Sequence, residues 1–282
     1  MDNGIVNSKN ELLAVTGKNN FKFTRSLSSL GLLEKFVPQE SCHKVREPKV
    51  RKASRRALVL MRTFERFLTV HEKYMEDKAA KHAKSVVYGA KDIEEFSLIL
   101  PSAFRGEEHF GRYASYFLNA LVGKCRSGED EFTIHTTNFQ HAPDNIGRGL
   151  SVRKKLTVIG NVGVFAGVMM EGEMHIFGNA GNYAGCLGKG SAMVIEGSCG
   201  EKLGDCLRSG RITVKGSAGD GCGSGMKDGE IEVMGDAGGD IGSNGEGKIT
   251  VHGKNGGVSN TFKGEFWDGS GLAWKDGKPV RK

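Results

Sequence analysis

The sequence predicts a mainly β chain: a right-handed, single-stranded β-helix of about six to seven coils of 18–19 residues, preceded by a small α-helical region. Three observations carry that expectation. Glycines recur as G-x-x-G-x-x-x-G at a fixed period. A strand-like alternation of apolar residues closes each unit. The residues between fall into aligned columns. Self-similarity at a period of this length marks a stacked repeat architecture.

The units begin at Gly160, Gly178, Gly197, Gly216, Gly235 and Gly253, 18 or 19 residues apart each time. Their second glycines are Gly163, Gly181, Gly200, Gly219, Gly238 and Gly256. The third are Gly167, Gly185, Gly204, Gly223 and Gly242, with Asn260 in that place in the last unit. Ala142, Asn145 and Gly149 fit the same places in a degenerate first unit.

Each unit closes on an alternating stretch: Leu156/Val158, Met174/Ile176, Met193/Ile195, Ile212/Val214, Ile231/Val233 and Ile249/Val251. Alternation with period two marks a strand with one buried face. The residues between, Thr157, His175, Val194, Thr213, Glu232 and Thr250, then point outward. Three more columns are expected inside. One holds Val162, Ala180, Cys199, Ala218 and Ala237, and a second Ala166, Ala184, Leu203, Cys222 and Ile241. The third holds Met169, Leu187, Leu207 and Met226. Each unit is read as one coil, stacked on its neighbours at about 4.8 Å with like residues on like. The glycines are expected at corners that need a positive φ or no Cβ.

Four segments follow: a basic, partly disordered tail over 1–50, a helical region over 51–130, the β-helix over 131–264 and a C-terminal cap over 265–282. From Ala57 the pattern is helical, with Leu60, Met61, Phe64, Phe67, Leu68, Tyr74 and Met75 on one face. A second helix is predicted over Asp92–Leu100, stopped by Pro101. A third is predicted over Glu107–Val122, with Gly123 after its end. Phe266, Trp267 and Trp274 are expected to cover the last coil, whose open edge invites association.

Composition narrows the function classes. The chain has 282 residues with 38% hydrophobic content, enough for a packed core, and 42 glycines with no three-residue period, which excludes collagen. The net charge of +7 is concentrated in residues 1–150, which carry 24 Lys and Arg against 18 Asp and Glu. The basic run 44–56 lacks interleaved aromatic residues, which argues against a stacking contact with nucleic acid. No apolar stretch is long enough for a membrane span, and the N-terminus lacks the pattern of a secretory signal. The six cysteines contain no C-x-x-C pair, so a reducing, cytoplasmic setting is expected.

The G-x-x-G-x-x-x-G units resemble the repeat domain at the C-terminal end of the glutamate synthase large subunit. They are equally similar to the repeat-bearing subunit of formylmethanofuran dehydrogenase and to its relative in the bacterial formyltransferase/hydrolase complex. The resemblance covers roughly residues 132–264; residues 1–130 carry none of it. It implies a right-handed β-helix without a catalytic centre, holding other subunits in fixed geometry. In that case the chain has no cofactor of its own. Its partners are protein subunits of an enzyme complex, docked through the N-terminal helices or the faces of the rod.

Other chemistry has weaker sequence support. Gly219–Gly229 contains G-x-G-x-G, but a strand follows within a few residues, where a dinucleotide fingerprint needs a helix. Cys199 and Cys222 fall in inward columns and behave as small hydrophobes. Cys186 and Cys206 lie at nearly the same place in adjacent coils, without further ligands for zinc. His135, His141 and Asp144 flank the first coil and are candidate contacts with a partner. An alternative reading is an enzyme or small-molecule-binding protein, with His175, Asp205 and Asp220 forming a site on an outward face; a further alternative is a nucleic-acid-associated protein acting through the basic segment 44–56.

Overall fold

A computed structural model describes residues 53–69, 75–103 and 110–280. The expected tail over 1–50 and most of the basic run 44–56 lie outside the described residues. Alternating apolar residues build the predicted β-helix of about six turns. The strands are β1 (Glu131–His135), β2 (Lys155–Ile159), β3 (Glu173–Phe177), β4 (Ser191–Ile195), β5 (Gly210–Val214), β6 (Glu230–Val233), β7 (Lys248–Val251) and β8 (Glu265–Asp268). Each pairs in parallel with the next, in sequence order. Phe132, Leu156, Met174, Met193, Ile212, Ile231, Ile249 and Phe266 stack as one inward column, none more than 2% exposed. Burying each such side chain stabilises the fold by about 1.5–3 kcal/mol.

The corners show why glycine recurs. The third-glycine column, from Gly147 to Gly242, holds φ between 64° and 78°, a region costly for side chains with a Cβ. In the first two columns the requirement is space. A Cβ on Gly178 would lie 2.3 Å from the carbonyl oxygen of Gly160, and one on Gly181 would lie 2.7 Å from the carbonyl carbon of Gly163. Backbone there passes directly over backbone.

Two expectations about the repeat are corrected. In the first coil, Gly147 and not Gly149 takes the third-glycine place: Gly167 N–H bonds to Ile146 O as Gly185 N–H bonds to Ala166 O. The second place falls to Pro143 and not Asn145, since Asp144 accepts the Val164 N–H as Asn182 accepts that of Glu201, and Thr136 and Thr137, not Ala142, lie beneath Gly160. From Gly147 to Gly167 the spacing is 20 residues, which a fixed period of 18 or 19 cannot register. The fourth column is inward at Leu207 and Met226, but Met170 and Gly188 take its place in the earlier coils. Met169 and Leu187 sit one residue before it, with φ of 58° and 59°, and turn outward.

Among the described residues four helices precede the coils: α1 (Arg55–Leu68), α2 (Met75–Lys84), α3 (Ala90–Ala103) and α4 (Phe110–Lys124). The stripe read as one helix from Ala57 divides: Leu60 to Leu68 lie in α1 and Met75 opens α2, while Tyr74 lies outside the described residues. Thr69 ends α1, where its hydroxyl bonds to Arg66 O and its N–H to Phe67 O. α2 buries only Met75, Ala79 and Ala83, too faint a stripe to be read in advance. α3 runs through Pro101 to Ala103, since a proline in the final turn forfeits only its bond to Ser97 O. Gly123 lies inside α4 rather than beyond it.

The helices close the N-terminal end of the rod. Their aromatic cluster, with Phe117 5.3 Å from Phe64 and 5.6 Å from Phe96, joins the coil core without a break. Ser97 Oγ accepts the His135 N–H on the free edge of β1. Asn119 donates to Asn145 O and accepts from Gly147 N–H. At the other end Phe266 extends the ladder past residue 264. A hairpin of β9 (Gly271–Lys275) and β10 (Lys278–Pro279) then folds back antiparallel. Trp274 Nε1 donates to Phe262 O, and Phe262 is fully buried.

Space and φ separate the glycine roles experimentally. Gly181→Ala is expected to cost about 3 kcal/mol by overpacking. Gly123→Ala, where a Cβ meets nothing within 4 Å, gains up to about 1 kcal/mol. Urea unfolding followed by circular dichroism measures both.

Candidate functional site

The polar side chains of the coils are arranged in ladders. After each first glycine but the last, Gly253, stands a residue whose side chain accepts a backbone N–H from the coil above. Asn161 takes that of Asn179, Asn179 that of Ser198, Ser198 that of Ser217, Ser217 that of Asp236 and Asp236 that of Lys254, at 2.7–3.0 Å. Asp144, Asn182 and Asp220 do the same at the next corner, for Val164, Glu201 and Gly239. The accepting oxygen lies where a Cβ of the following glycine would stand, 2.0 Å from it at Gly163. The dipeptides Gly-Asn, Gly-Ser and Gly-Asp were a readable signal for this ladder that the glycine spacing alone did not reveal.

A third ladder runs up the outward edge of the sheet: Glu131, Lys155, Glu173, Ala192, Arg211, Glu230, Lys248 and Glu265. Apart from Ala192 its charges alternate. Lys155 Nζ lies 3.9 Å from Glu131 and 3.5 Å from Glu173. Arg211 pairs with Glu230, and Lys248 reaches the same carboxylate at 2.8 Å. In-register parallel stacking puts equivalent residues side by side, so alternation replaces repulsion with attraction.

A groove of about 720 Å³ lies between α3 and the outward face of β1–β4. Lys91 and Glu94 line it from the helix, and Thr133, Lys155, Glu173 and His175 from the sheet. Two of its lining groups have polar partners at its margin: Glu94 lies 3.2 Å from His135 Nε2, and His175 Nε2 lies 2.6 Å from Glu196. Asp92 and Glu129 accept the Gly89 and Ala90 N–H groups at the start of α3. The Ser127 hydroxyl, then the Ala90 N–H, holds the Glu129 carboxyl below its ordinary range.

The candidates from the sequence do not converge. His135 is 4% exposed and wedged between β1 and α3, so it joins helix to coil instead of facing a partner. His141 is exposed, and Asp144 is exposed but serves the corner ladder. His175 stands on the sheet face, whereas Asp205 and Asp220 stand at the turns. Cys199 and Cys222 are inward as expected. Burial pushes the Cys199 thiol up to about 12 and raises that of Cys222. Burial, with Asp205 beside it, pushes Cys186 up to about 11. Thiols so raised are poor nucleophiles near neutral pH. Among the described residues, no group of three or more His, Cys, Asp or Glu could hold a metal ion. No described helix is long and apolar enough to cross a membrane.

One corner is apolar on its outer side. Phe165 and Tyr183, in adjacent coils, stack with ring centroids 4.9 Å apart and planes 18° apart. Beside them Met169 is 50% exposed and Leu187 is half-buried. All four have φ between 58° and 62°. A bulky residue in that region costs about 1 kcal/mol or more.

Glu230 gives the charge ladder a pH signature. The hydrogen bond from Lys248 holds its carboxyl below the ordinary range, and Arg211 adds to this against the opposing effect of burial. A carboxyl depressed by folding stabilises above its unfolded pKa of about 4.3, and that contribution is lost as pH falls through the folded value. Glu230→Gln is therefore expected to cost no more than about 1 kcal/mol near neutral pH. Its unfolding midpoint should converge on that of the unsubstituted chain in acid.

Compared with known protein families and with curated proteins, the chain matches none.

Proposed function

We propose that this chain is a non-catalytic β-helix scaffold within a multi-subunit enzyme complex. The repeat resemblance points to assemblies of the glutamate synthase or formylmethanofuran dehydrogenase kind. The observation that carries this reading is the use made of polar side chains. Asn179, Ser198, Ser217, Asp236, Asn182 and Asp220 each bind the next coil, and the charge ladder does likewise along the sheet edge. Side chains committed to coil-to-coil bonds make a stiff rod with fixed faces, which is what holding partners at a set distance requires. The helices bury their stripes against each other and the first coil. Docking is therefore assigned to the faces of the rod.

A second reading has one observation in its favour. The groove beside α3 brings Lys91, Thr133, Lys155 and His175 to one wall-lined space, as a polar small molecule would need.

Gentle purification of the native protein at low and moderate salt, with mass spectrometry of co-purifying chains, tests the scaffold. Stoichiometric recovery of catalytic subunits is expected. Recovery of this chain without other proteins at both salts overturns the reading.

A further inference from the structure

A cavity of about 510 Å³ lies among the four helices and the segment that joins α4 to β1. Every helix gives it a cation: Arg56 from α1, Lys84 from α2, Lys91 from α3 and Lys124 from α4, with Arg126 as a fifth. Two carboxylates stand against them, Asp92 and Glu129. Both are already engaged. Asp92 accepts the Gly89 N–H and the Ser54 hydroxyl, and Glu129 accepts the Ala90 N–H and the Ser127 hydroxyl. Of the five cations Arg56 alone pairs with either, 3.9 Å from Asp92. Among the described residues Lys84, Lys91, Lys124 and Arg126 make no ion pair. Just outside the lining, Arg55 and Lys154 offset Glu95 and Asp130, so the positive excess stands.

Local structure accounts for only some of these cations. Lys84 and Lys124 close α2 and α4, where a positive charge complements the helix dipole. Arg56 and Lys91 have no such reason to be where they are. Each is the second residue of its helix, at the end whose dipole repels a cation, and α1 has no acid in its first turn. Like charges gathered in a concave space repel one another and focus a positive potential there. An anion offsets both costs. The turn between α2 and α3 supplies an apolar wall beside the charges, where Val86 is half-buried and Val87 is 83% exposed.

We infer that this cavity binds a small molecule bearing a diphosphate. Lys84, Lys91, Lys124 and Arg126 hold the phosphates, and Val86 and Val87 face whatever the phosphates are attached to. Three features select this ligand. The volume falls within the roughly 300–1,000 Å³ of small-molecule pockets. Five cations against two carboxylates leave three positive charges in excess, which a diphosphate matches with few atoms. The cations come from all four helices to one space, whereas a nucleic-acid strand needs them in a stripe. Lysine and arginine are the side chains that bind phosphate with charge-assisted hydrogen bonds. The inference goes beyond the scaffold reading and does not rest on it. With the groove beside the sheet the cavity shares only Lys91.

Titration calorimetry of the full 282-residue chain with inorganic pyrophosphate and with adenosine diphosphate tests it. Saturable binding of both is expected in the micromolar range. Equal affinities assign recognition to a free diphosphate, and tighter binding of the nucleotide assigns it to a diphosphate ester whose body meets the apolar wall. Lys91→Gln with Arg126→Gln should weaken both by about tenfold or more. The same double variant should keep the circular dichroism spectrum and unfold no earlier than the unsubstituted chain when unliganded, since repulsion in the cavity falls. Lys215→Gln with Lys227→Gln removes the same charge from exposed positions on the coils and should leave both affinities unchanged. Absence of saturable binding, an equal loss in the two double variants, or tighter binding of a single-stranded oligonucleotide than of either probe overturns the inference.

Discussion

Parallel coils lie on one another at the spacing their strands allow, and at the corners this brings backbone over backbone. Gly178 over Gly160 and Gly181 over Gly163 are two expressions of that constraint. Everything else in the rod follows from keeping those approaches open. Where the backbone is so close, no side chain fits inside the turn. The residue after the glycine must then supply the hydrogen-bond acceptor that the turn lacks. The Asn179 side-chain oxygen, for example, accepts the N–H of exposed Ser198 from the next coil. The glycine that lets the backbone approach and its polar follower thus form one device that ties coil to coil.

The same stacking decides how charge is handled. Equivalent residues of successive coils are neighbours in space although some 19 positions apart in sequence. A run of lysines in one column would repel itself at every rung. The column from Glu131 to Glu265 alternates instead, and Lys248 and Arg211 share Glu230 between them. The outer surface of a solenoid is in this sense part of its cohesion. Its apolar exceptions, Phe165 and Tyr183 foremost, stand out against that background.

Most of this architecture was legible in the sequence because the repeat announces its own period. The inward pairs from Leu156/Val158 to Ile249/Val251 were read without error, and so was the outward His175, which is bonded to Glu196. The reading failed where a coil is longer than the period, as in the first, whose Gly147 stands 20 residues before Gly167. It also failed where apolar character was taken as proof of burial, as at Met169. Hydrophobicity marks a residue as a candidate for the core, but only the left-handed backbone at that position turns it out. The burial of His135 against α3 was illegible for another reason: it depends on a helix some forty residues away in the chain.

The one interruption in the charge column lies at Ala192, between Glu173 and Arg211. It divides the rod into two electrostatically self-sufficient blocks, one ending in an acid and the other beginning with a base. Excision of the coil that carries Ala192 would bring those two residues into register as an attractive pair. Excision of the coil bearing Glu230 would set Arg211 against Lys248. The sequence therefore contains one internal seam at which the length of the rod can change by a whole coil without breaking the alternation, and a spacer of adjustable length needs only one.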